Sequence, residues 1–332
     1  MMYISAVRIS GGKKHLVHGG SGQLGMCLIR YLQSVGRGVR TIVRNPDRLY
    51  EAGLTEGIEA LQADYDNVWL LRQIIEGSSV VYFCSTKWIT EGYEAIQEMQ
   101  WVERVANACL EHDVRLIVPS CTWAYGSPGL KPKSESHPLA AQFPYGAAKA
   151  SVEHVVTKLN KISGLPVTVL RLPPLWGPFA RCPVSINPMR AVARGRMFPL
   201  IGNGEAMVEW LDPRDGARIM AQCAEDDRTI GSIFNVPGSG AIKWSEFATW
   251  VTQVAGTGAK VRQVPGGLVG RLLGQSGFEQ TLSWWYKSGL VVDGSAIQTD
   301  IGFSHTYSLK QSIVDAWHWY ANQRPEARYT FD

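Results

Sequence analysis

Short apolar runs alternate with amphipathic segments along the chain from about residue 14 to residue 178. The apolar runs have the length of buried β-strands, and the segments between them carry apolar residues at helical spacing, three or four positions apart. We predict strands in the apolar runs, at 16–20, 39–43, 57–64, 80–86, 114–120 and 166–173. We predict helices in the amphipathic segments, at 22–36, from 45, at 67–77, at 91–112 and at 145–163. Strands separated by helices in this way predict βαβ units, and therefore an α/β fold with a parallel sheet.

The alternation weakens after about residue 178, where loops and tryptophans become more frequent. We expect this C-terminal part to form a small lobe that closes over the sheet. In open parallel sheets, ligands bind beyond the carboxyl ends of the strands. The segments that directly follow the predicted strands are therefore the places where chemistry is expected.

Composition and charge argue against several function classes. The apolar fraction of 45% in 332 residues supports a sizeable core. The net charge of +4, from 33 basic and 29 acidic residues, is too small to imply a nucleic-acid partner. Apolar runs fall short of the ~20 residues that cross a bilayer, and the first residues lack the apolar core of a signal peptide. We therefore expect a cytoplasmic protein without a membrane partner.

The cysteines suggest free thiols rather than a metal centre. They form no C-x-x-C pair and no cluster with histidine at metal-ligand spacing, so no metal site is expected. Most lie in apolar helices or strands, where a buried free thiol is usual, and a reducing compartment fits this usage. The six cysteines are Cys27, Cys84, Cys109, Cys121, Cys182 and Cys223.

The end of the first predicted strand carries the sequence HGGSGQLG, in which Gly19, Gly22 and Gly25 have the spacing G-x-x-G-x-x-G. The segment follows a strand and opens a helix, which is the setting in which a glycine-rich turn binds a dinucleotide. Glycines let the backbone approach a pyrophosphate closely, and the helix N-terminus offers N–H groups and a positive dipole end. An ordinary glycine-rich turn is the alternative interpretation.

The end of the second predicted strand indicates which dinucleotide is preferred. A carboxylate there would bind the adenosine ribose hydroxyls of NAD, but the sequence has Arg44, with Arg40 nearby. A guanidinium suits a 2′-phosphate, with which it forms two charge-assisted hydrogen bonds, so NADP(H) is favoured over NAD(H). A solvated strand-end arginine is the alternative. Asp64, after the third strand, could bond the adenine amino group or be an exposed loop residue.

Tyr145 and Lys149 lie four residues apart at the start of a predicted helix, in the sequence YGAAK, and so share one helix face. The unperturbed pKa of a tyrosine is about 10, which makes it a poor acid–base catalyst. A nearby ammonium favours the phenolate and is expected to lower the pKa toward neutrality. The pair follows a strand that ends in hydroxyl groups, in a chain with a dinucleotide turn, and the three signals together are specific.

Taken together, these motifs make the chain resemble an extended short-chain dehydrogenase/reductase of the epimerase/dehydratase branch, over nearly all of its length. The segments that carry the resemblance are HGGSGQLG, RNP after the second strand, QAD after the third, SCTWAYG, YGAAK, LRLPPLWGP, IGNG, WLDPRDGA and VVDGSAIQTDIGF. The resemblance implies a Rossmann domain at 10–178, its core continuing into segments near 205–236, and a mainly substrate-binding lobe at 179–332. The RNP segment is similar to that of the plant dihydroflavonol and cinnamoyl-CoA reductases, which use NADP. Family habit also implies a homodimer built from the helices at 91–112 and 145–163.

The resemblance assigns roles to individual residues. It implies Tyr145 as general acid or base, and Lys149 as the residue that binds the nicotinamide ribose and tunes Tyr145. The cofactor-binding residues that it implies are Gly19, Gly22, Gln23, Leu24, Gly25, Arg44, Asp64, Cys84, Ser85, Thr86, Lys149 and Pro173. The substrate-facing residues that it implies are Trp123, Pro174, Trp176 and Trp210.

The sequence SCTWAYG departs from the family pattern Ser-Ser-x-x-x-Tyr-Gly at the position of the second serine, which is Cys121 here. In the family this serine helps to hold the substrate carbonyl oxygen. A thiol is a weak hydrogen-bond donor, so Thr122, one residue later, is our first choice for this role. Cys121 is the second choice, and Ser120 or a water molecule is the remaining alternative.

The substrate grip of the nucleotide-sugar members is also altered. Those members carry an asparagine at the position of Pro174 and an arginine, which would clamp a diphosphate, at the position of Val208. The C-terminal part has many aromatic residues instead, including Trp284, Trp285 and Tyr286. These features predict a small, apolar or aromatic carbonyl substrate. The arginines at 190, 194 and 196 either bind an acidic group or form a solvated helix face.

Three functions are compatible with these features. The first is an NADPH-dependent reductase of a ketone or aldehyde with a Tyr-Lys proton relay. The second is a redox-neutral epimerase, isomerase or dehydratase that retains its cofactor. The third is a non-catalytic NADP-sensing protein, although such proteins tend to lose the Tyr-Lys pair that Tyr145 and Lys149 form here.

Overall fold

The computed structural model describes residues 13–54, 56–63, 66–86, 92–126, 131–141, 143–265 and 289–322. The predicted cofactor residue Asp64 and the aromatic residues at 284–286 lie outside the described residues.

A seven-stranded parallel sheet forms the centre of the fold, with the strand order β3-β2-β1-β4-β5-β6-β9. Its strands are β1 (Lys14–His18), β2 (Val39–Val43), β3 (Ile58–Gln62), β4 (Ser78–Phe83), β5 (Arg115–Cys121), β6 (Val167–Leu172) and β9 (Ile233–Asn235). Both faces of the sheet are covered, which explains why β2, β5 and β6 are buried along their whole length and read as continuous apolar runs. The predicted α/β fold with a Rossmann-type parallel sheet is confirmed.

Helices pack on both faces of this sheet. They are α1 (Gln23–Ser34), α2 (Asp47–Glu51), α3 (Val68–Glu76), α4 (Gly92–Glu111), α5 (Pro144–Ser163) and α7 (Pro213–Glu225). On α1 the predicted apolar face is buried at Leu28 and Leu32, whereas Val35, just past the helix end, is 49% exposed. Pro144 starts α5, because the first helical turn needs no N–H there, and Gly164 ends it in the left-handed region with φ 75°.

A second group of elements packs beside the sheet around an aromatic core. It consists of α6 (Pro183–Ala193), α8 (Trp244–Ala255), α9 (Ser295–Ile301), α10 (Leu309–Asn322), β7 (Phe198–Ile201), β8 (Met207–Glu209), β10 (Ala241–Lys243) and β11 (Val261–Val264). The rings of Trp176 and Trp210 each lie 4.8 Å from that of Phe247. Aromatic contacts of this kind stabilise a core beyond the area that they bury.

The order β2-β1-β4 places the switch point of the sheet between β1 and β4, because the chain leaves β1 toward one edge and returns to β4 on the other side. Ligands of such sheets bind at this point, beyond the carboxyl ends of the strands. Within the described ranges, none of the helices is long and apolar enough to cross a membrane. The same residues contain no group of three His, Cys, Asp or Glu side chains placed to hold a metal ion.

Candidate active site

A cavity of about 770 Å³ lies at this switch point. Its walls are the segments that follow β1, β2, β4, β5 and β6, together with the start of α5, the first turns of α6, and Trp210. The sequence-predicted residues that line it are Gly19, Gly22, Gln23, Leu24, Arg44, Cys84, Ser85, Thr86, Cys121, Trp123, Tyr145, Lys149, Pro173, Pro174 and Trp210. Residues far apart in the chain are thus brought to one site.

The glycine turn after β1 requires glycine on steric grounds. Gly19 has a φ of +88°, and a Cβ atom there would lie 2.5 Å from the hydroxyl of Ser85. A Cβ atom at Gly25 would lie 2.5 Å from the carbonyl oxygen of Gly19. The start of α1 therefore sits directly against the turn, as in sites where backbone N–H groups approach a pyrophosphate.

The start of α1 also fits a phosphate electrostatically. Gly22 is the N-cap and offers no side chain to the first N–H groups of the helix, and the first turn contains no acidic residue. These N–H groups and the helix dipole favour an anion. Ser85, buried in the cavity wall, has a hydroxyl group without a hydrogen-bond partner among the described residues. A dinucleotide therefore fits the residues present at this end of the cavity.

Gln23 ties the glycine turn to the loop that follows β6. Its side-chain Nε2 donates to the carbonyl oxygens of Gly177, at 3.3 Å, and Pro178, at 3.0 Å. Gln23 therefore fixes the spacing between two opposite walls of the cavity.

The segment after β2 contributes basic and polar residues to the cavity wall, namely Arg44, Asn45 and Arg48. Arg40 has a different role: its fully buried guanidinium pairs with Glu59 at 3.0 Å and donates to main-chain oxygens between α3 and β4. Arg40 therefore stabilises the packing at this edge of the sheet and is not part of the cofactor site.

Tyr145 and Lys149 project from the first turns of α5 into the cavity wall. The Lys149 ammonium lies 5.7 Å from the centre of the Tyr145 ring, and the edge of Trp123 packs against that ring at 5.9 Å between centroids. The helical spacing predicted from the sequence thus brings the pair together on one side of the cavity.

Glu98, on α4, changes the electrostatics of this pair. Its carboxylate accepts a hydrogen bond from the Lys149 ammonium at 2.5 Å, and the two side chains are 0% and 6% exposed. Desolvation raises the pKa of Tyr145 well above its ordinary value, and the nearby groups of Cys121 and Glu98 raise it further. The expected lowering of the pKa of Tyr145 by Lys149 is therefore wrong, because burial of the phenol outweighs the effect of the ammonium, which is itself paired with the Glu98 carboxylate.

The three small polar residues at the end of β5 and directly after it point in different directions. Ser120 lines the cavity, but its hydroxyl donates to the buried carboxylate of Glu153. Cys121 also lines the cavity, its Sγ accepts the N–H of Trp123 at 3.3 Å, and burial raises the pKa of its thiol to about 12. Thr122 begins a 3₁₀ helix, is 2% exposed and does not line the cavity. The structure thus does not bring the Thr122 hydroxyl to the site.

A pair of substitutions separates these residues. We expect Thr122→Val to leave the turnover of any accepted substrate close to that of the parent, because its side chain lies behind the cavity wall. Cys121→Leu should lower turnover on the order of 10²-fold, because the larger side chain would enter the cavity and misplace the substrate. The measurement is kcat/KM for both variants. A much larger loss of kcat/KM for Thr122→Val than for Cys121→Leu would indicate that Thr122 holds the substrate carbonyl oxygen.

The substrate side of the cavity combines aromatic and basic side chains. Trp123 and Trp210 line it, whereas Trp176 is 1% exposed in the aromatic core and does not, so the expectation that Trp176 faces the substrate is not met. The cavity is also lined by two arginines: Arg181, just before α6, and Arg190, in the last turn of α6. The alternative that Arg190 belongs to a purely solvated helix face is therefore excluded.

The model of the NAD dependent epimerase/dehydratase family matches residues 15–236, two thirds of the chain and the whole central sheet. The chain belongs to this family. The predicted membership of the extended short-chain dehydrogenase/reductase superfamily is confirmed, whereas the assignment as an oxidoreductase stays a prediction.

Curated relatives of this family member are dehydratases and epimerases. The dTDP-glucose 4,6-dehydratase of Xanthomonas campestris pv. campestris (strain B100) is 22% identical over 92% of this chain and 92% of its own length. The corresponding Escherichia coli enzyme is 25% identical over 54% of this chain, a match that spans about half, 49%, of the relative. The UDP-glucose 4-epimerase of Streptomyces lividans is 30% identical over 46% of this chain and 49% of its own length.

Solved structures share the fold over most of the chain. The dTDP-glucose 4,6-dehydratase of Streptomyces venezuelae, with NAD and DAU bound, superposes with a TM-score of 0.79 at 19% identity over 94% of this chain and 98% of that chain. The UDP-glucuronic acid 4-epimerase of Bacillus cereus, in complex with NAD, gives 0.78 at 18% identity over 93% and 98%. The family match and the dehydratase and epimerase relatives support the redox-neutral alternative better than the first expectation, a net reductase.

Proposed function

We propose that this enzyme moves a hydride between a nicotinamide dinucleotide and one carbinol or carbonyl carbon of a small substrate, with Tyr145 as the acid–base group. The observation that carries the proposal is that a single cavity joins the glycine turn after β1 to Tyr145 and Lys149 on α5. The dinucleotide, when bound, supplies the hydride chemistry, while the protein supplies position and the proton.

Different residues along the cavity have different proposed roles. The turn at Gly19–Gly22 and the start of α1 would hold the pyrophosphate, and Ser85 has a hydroxyl free to bond the same ligand. Lys149 would hold a ribose hydroxyl near Tyr145. Trp123 and Cys121 would exclude water from the reacting carbon, which strengthens the electrostatic interactions of the site.

We further propose a redox-neutral net reaction. Tyr145 accepts the proton of a substrate hydroxyl in one half of the cycle and returns a proton to a substrate oxygen in the other half. The dehydratase and epimerase relatives support this choice, and the third possibility, a non-catalytic sensor, is disfavoured because the Tyr145–Lys149 pair is retained in the cavity wall.

The substrate is proposed from the walls of the cavity. Pro174 and Val208 replace the residues expected for a diphosphate grip, and Val208 is fully buried in β8. Trp210 offers an apolar surface, and Arg181 and Arg190 offer positive charge. A small hydroxylated substrate with one apolar side and an acidic group fits these walls better than a nucleotide sugar held by its diphosphate.

The experiment that tests this proposal is turnover without added cofactor. The enzyme is loaded with one equivalent of NADP or NAD, freed of excess, and mixed with a panel of hydroxylated acids, keto-sugars and aromatic ketones. Multiple turnovers of one substrate, followed by chromatography, support redox-neutral chemistry. Conversion that stops at one equivalent and resumes on addition of NADPH contradicts it.

A net NADPH-dependent reductase is the second candidate, and two observations favour it. Arg44 and Arg48 line the end of the cavity where a 2′-phosphate would lie. The phenol of Tyr145, whose pKa burial raises above its ordinary value, is protonated at neutral pH, which is the state that donates a proton to a carbonyl being reduced. For either candidate we also propose a homodimer that forms through α4 and α5. Ile96, on α4, has an exposed apolar side chain that would be buried in this interface.

The preference for NADP(H) is testable at Arg44. We expect Arg44→Ser to weaken NADPH binding about tenfold or more, since a charge-assisted hydrogen bond contributes about 1.5–3 kcal/mol, and to leave NADH binding nearly unchanged. Dissociation constants for both cofactors, measured by fluorescence titration, check this. Arg72→Ser, on the exposed surface of α3, is the control. Equal losses of NADH and NADPH affinity would contradict the assignment.

A further inference from the structure

Glu98 is a buried carboxylate beside the site whose role neither the sequence motifs nor the family match explains. It lies on the apolar face of α4 with Trp101, Val102 and Val105, all of which are buried. A carboxylate in such a position is costly unless it is paired and hydrogen-bonded. Its retention on this face therefore calls for strong partners.

The partners of Glu98 are groups of the candidate site. Oε1 accepts from the Lys149 ammonium at 2.5 Å, and Oε2 accepts from the hydroxyl of Thr86 at 3.0 Å. The Thr86 hydroxyl in turn hydrogen-bonds the phenol of Tyr145. Glu98 thus connects the segment after β4 to both ends of the Tyr145–Lys149 pair.

We propose that Glu98 is a positioning residue of the active site: it holds Lys149 and Thr86 in place beside Tyr145 and balances the charge of the Lys149 ammonium. This inference rests on the proposed role of Tyr145 as acid–base group. It goes beyond that role, because it makes a third side chain, on a different helix, responsible for the position of Lys149 and for the balance of charge around the tyrosine.

Titratable groups face Tyr145 from four elements. The thiol of Cys121 approaches from β5, that of Cys182 from the start of α6, Glu98 from α4 and Lys149 from α5. Glu98 is the carboxylate among these described neighbours, and Lys149 is the cation. Removing the carboxylate alone would leave the ammonium unbalanced 5.7 Å from the ring, and an unbalanced cation lowers the pKa of a phenol.

Glu98→Gln tests the inference, because the amide keeps the size and a hydrogen-bond acceptor but loses the charge. The readout is the phenolate absorbance of Tyr145 against pH, taken as the difference between each protein and the same protein with Tyr145→Phe. We expect the Tyr145 midpoint to fall by about one pH unit or more, equal to about tenfold more phenolate at a given pH. Glu103→Gln, exposed on the same helix, should leave the midpoint unchanged. An unchanged midpoint in Glu98→Gln would overturn the inference.

The double variant Glu98→Gln/Lys149→Met keeps the test decisive if Glu98→Gln does not fold, because it buries neither charge alone. If the two charges balance in the parent, the pH midpoint of Tyr145 ionisation should be the same in the double variant as in the parent. A parent midpoint clearly below that of the double variant would show that Lys149 acts unbalanced, which overturns the inference. The titration needs no substrate. It therefore tests the role of Glu98 separately from the proposed function, which is tested by turnover.

Discussion

Replacing Tyr145 by Phe is expected to lower kcat by a factor of about 10²–10⁴, the contribution typical of a positioned acid–base group. The substitution removes the phenolic oxygen and keeps the ring, so the edge contact with Trp123 at 5.9 Å between centroids is preserved. Steady-state kinetics on any substrate that the parent accepts, together with cofactor titration, check the prediction. Cofactor affinity should stay close to that of the parent.

Tyr50→Phe is the matched control for this prediction, because the Tyr50 side chain is exposed on α2, away from the pair on α5. It removes the same oxygen and should leave kcat unchanged. If Tyr145→Phe retained kcat within a few-fold of the parent, Tyr145 would not be the acid–base group. The remaining catalysis would then have to come from another group of the cavity wall.

Replacing Arg171 by Leu is expected to lower the free energy of unfolding by about 3–5 kcal/mol, the usual effect of breaking a buried ion pair from one side. The Arg171 guanidinium, on β6, pairs with Glu153, on α5, at 2.7 Å, and both side chains are buried. It also donates to the hydroxyl of Tyr125 at 2.6 Å. The substitution leaves the Glu153 carboxylate buried with Ser120 as its remaining described partner. Denaturant unfolding followed by tryptophan fluorescence measures the effect.

An exposed pair provides the comparison. Arg72→Leu removes the ion pair with Glu111, 2.8 Å long and about half exposed on both sides, and should change stability by about 0–1 kcal/mol. A second comparison is Arg171→Leu combined with Glu153→Met, which leaves no carboxylate unpaired and should recover part of the loss. Equal effects of Arg171→Leu and Arg72→Leu would contradict the assigned importance of the buried pair.

Six of the seven strands of the central sheet could be predicted from the sequence, because most of them are largely buried and amphipathic helices separate them. The edge strand β3 is half-buried along Ile58–Leu61 and still falls within the predicted run. The small strands of the C-terminal part were not predicted. Elements such as β8 and β10 have three residues each, too few for a period to be recognised.

The residues of the site that could be predicted are those whose chemistry needs a fixed local pattern. The glycine turn at Gly19 and the helical pair of Tyr145 and Lys149 have such patterns, and all three residues line one cavity. The roles of Thr122 and Trp176 depend on where a side chain points after a strand ends. The chain enters a 3₁₀ helix directly after Cys121, which turns Thr122 away from the cavity, and no sequence period shows this.

Glu98 was missed because its partner lies 51 residues away, on another helix. A signal did exist in the sequence: the spacing of Glu98, Trp101, Val102 and Val105 places an acid on the apolar face of a helix. Buried charges are rare unless they are paired, so such an acid is a candidate for a functional contact. The identity of the cation that it pairs with requires the three-dimensional structure.

The measurement that tests the central claim most directly is a crystal structure of the protein with NADP(H). We expect the pyrophosphate at Gly19–Gly22 and the start of α1, the 2′-phosphate beside Arg44 or Arg48, and the nicotinamide ring against Tyr145 and Lys149. A dinucleotide bound with its nicotinamide away from Tyr145, or a cavity that stays without NADP(H) and NAD(H) at saturating concentrations, would contradict the account.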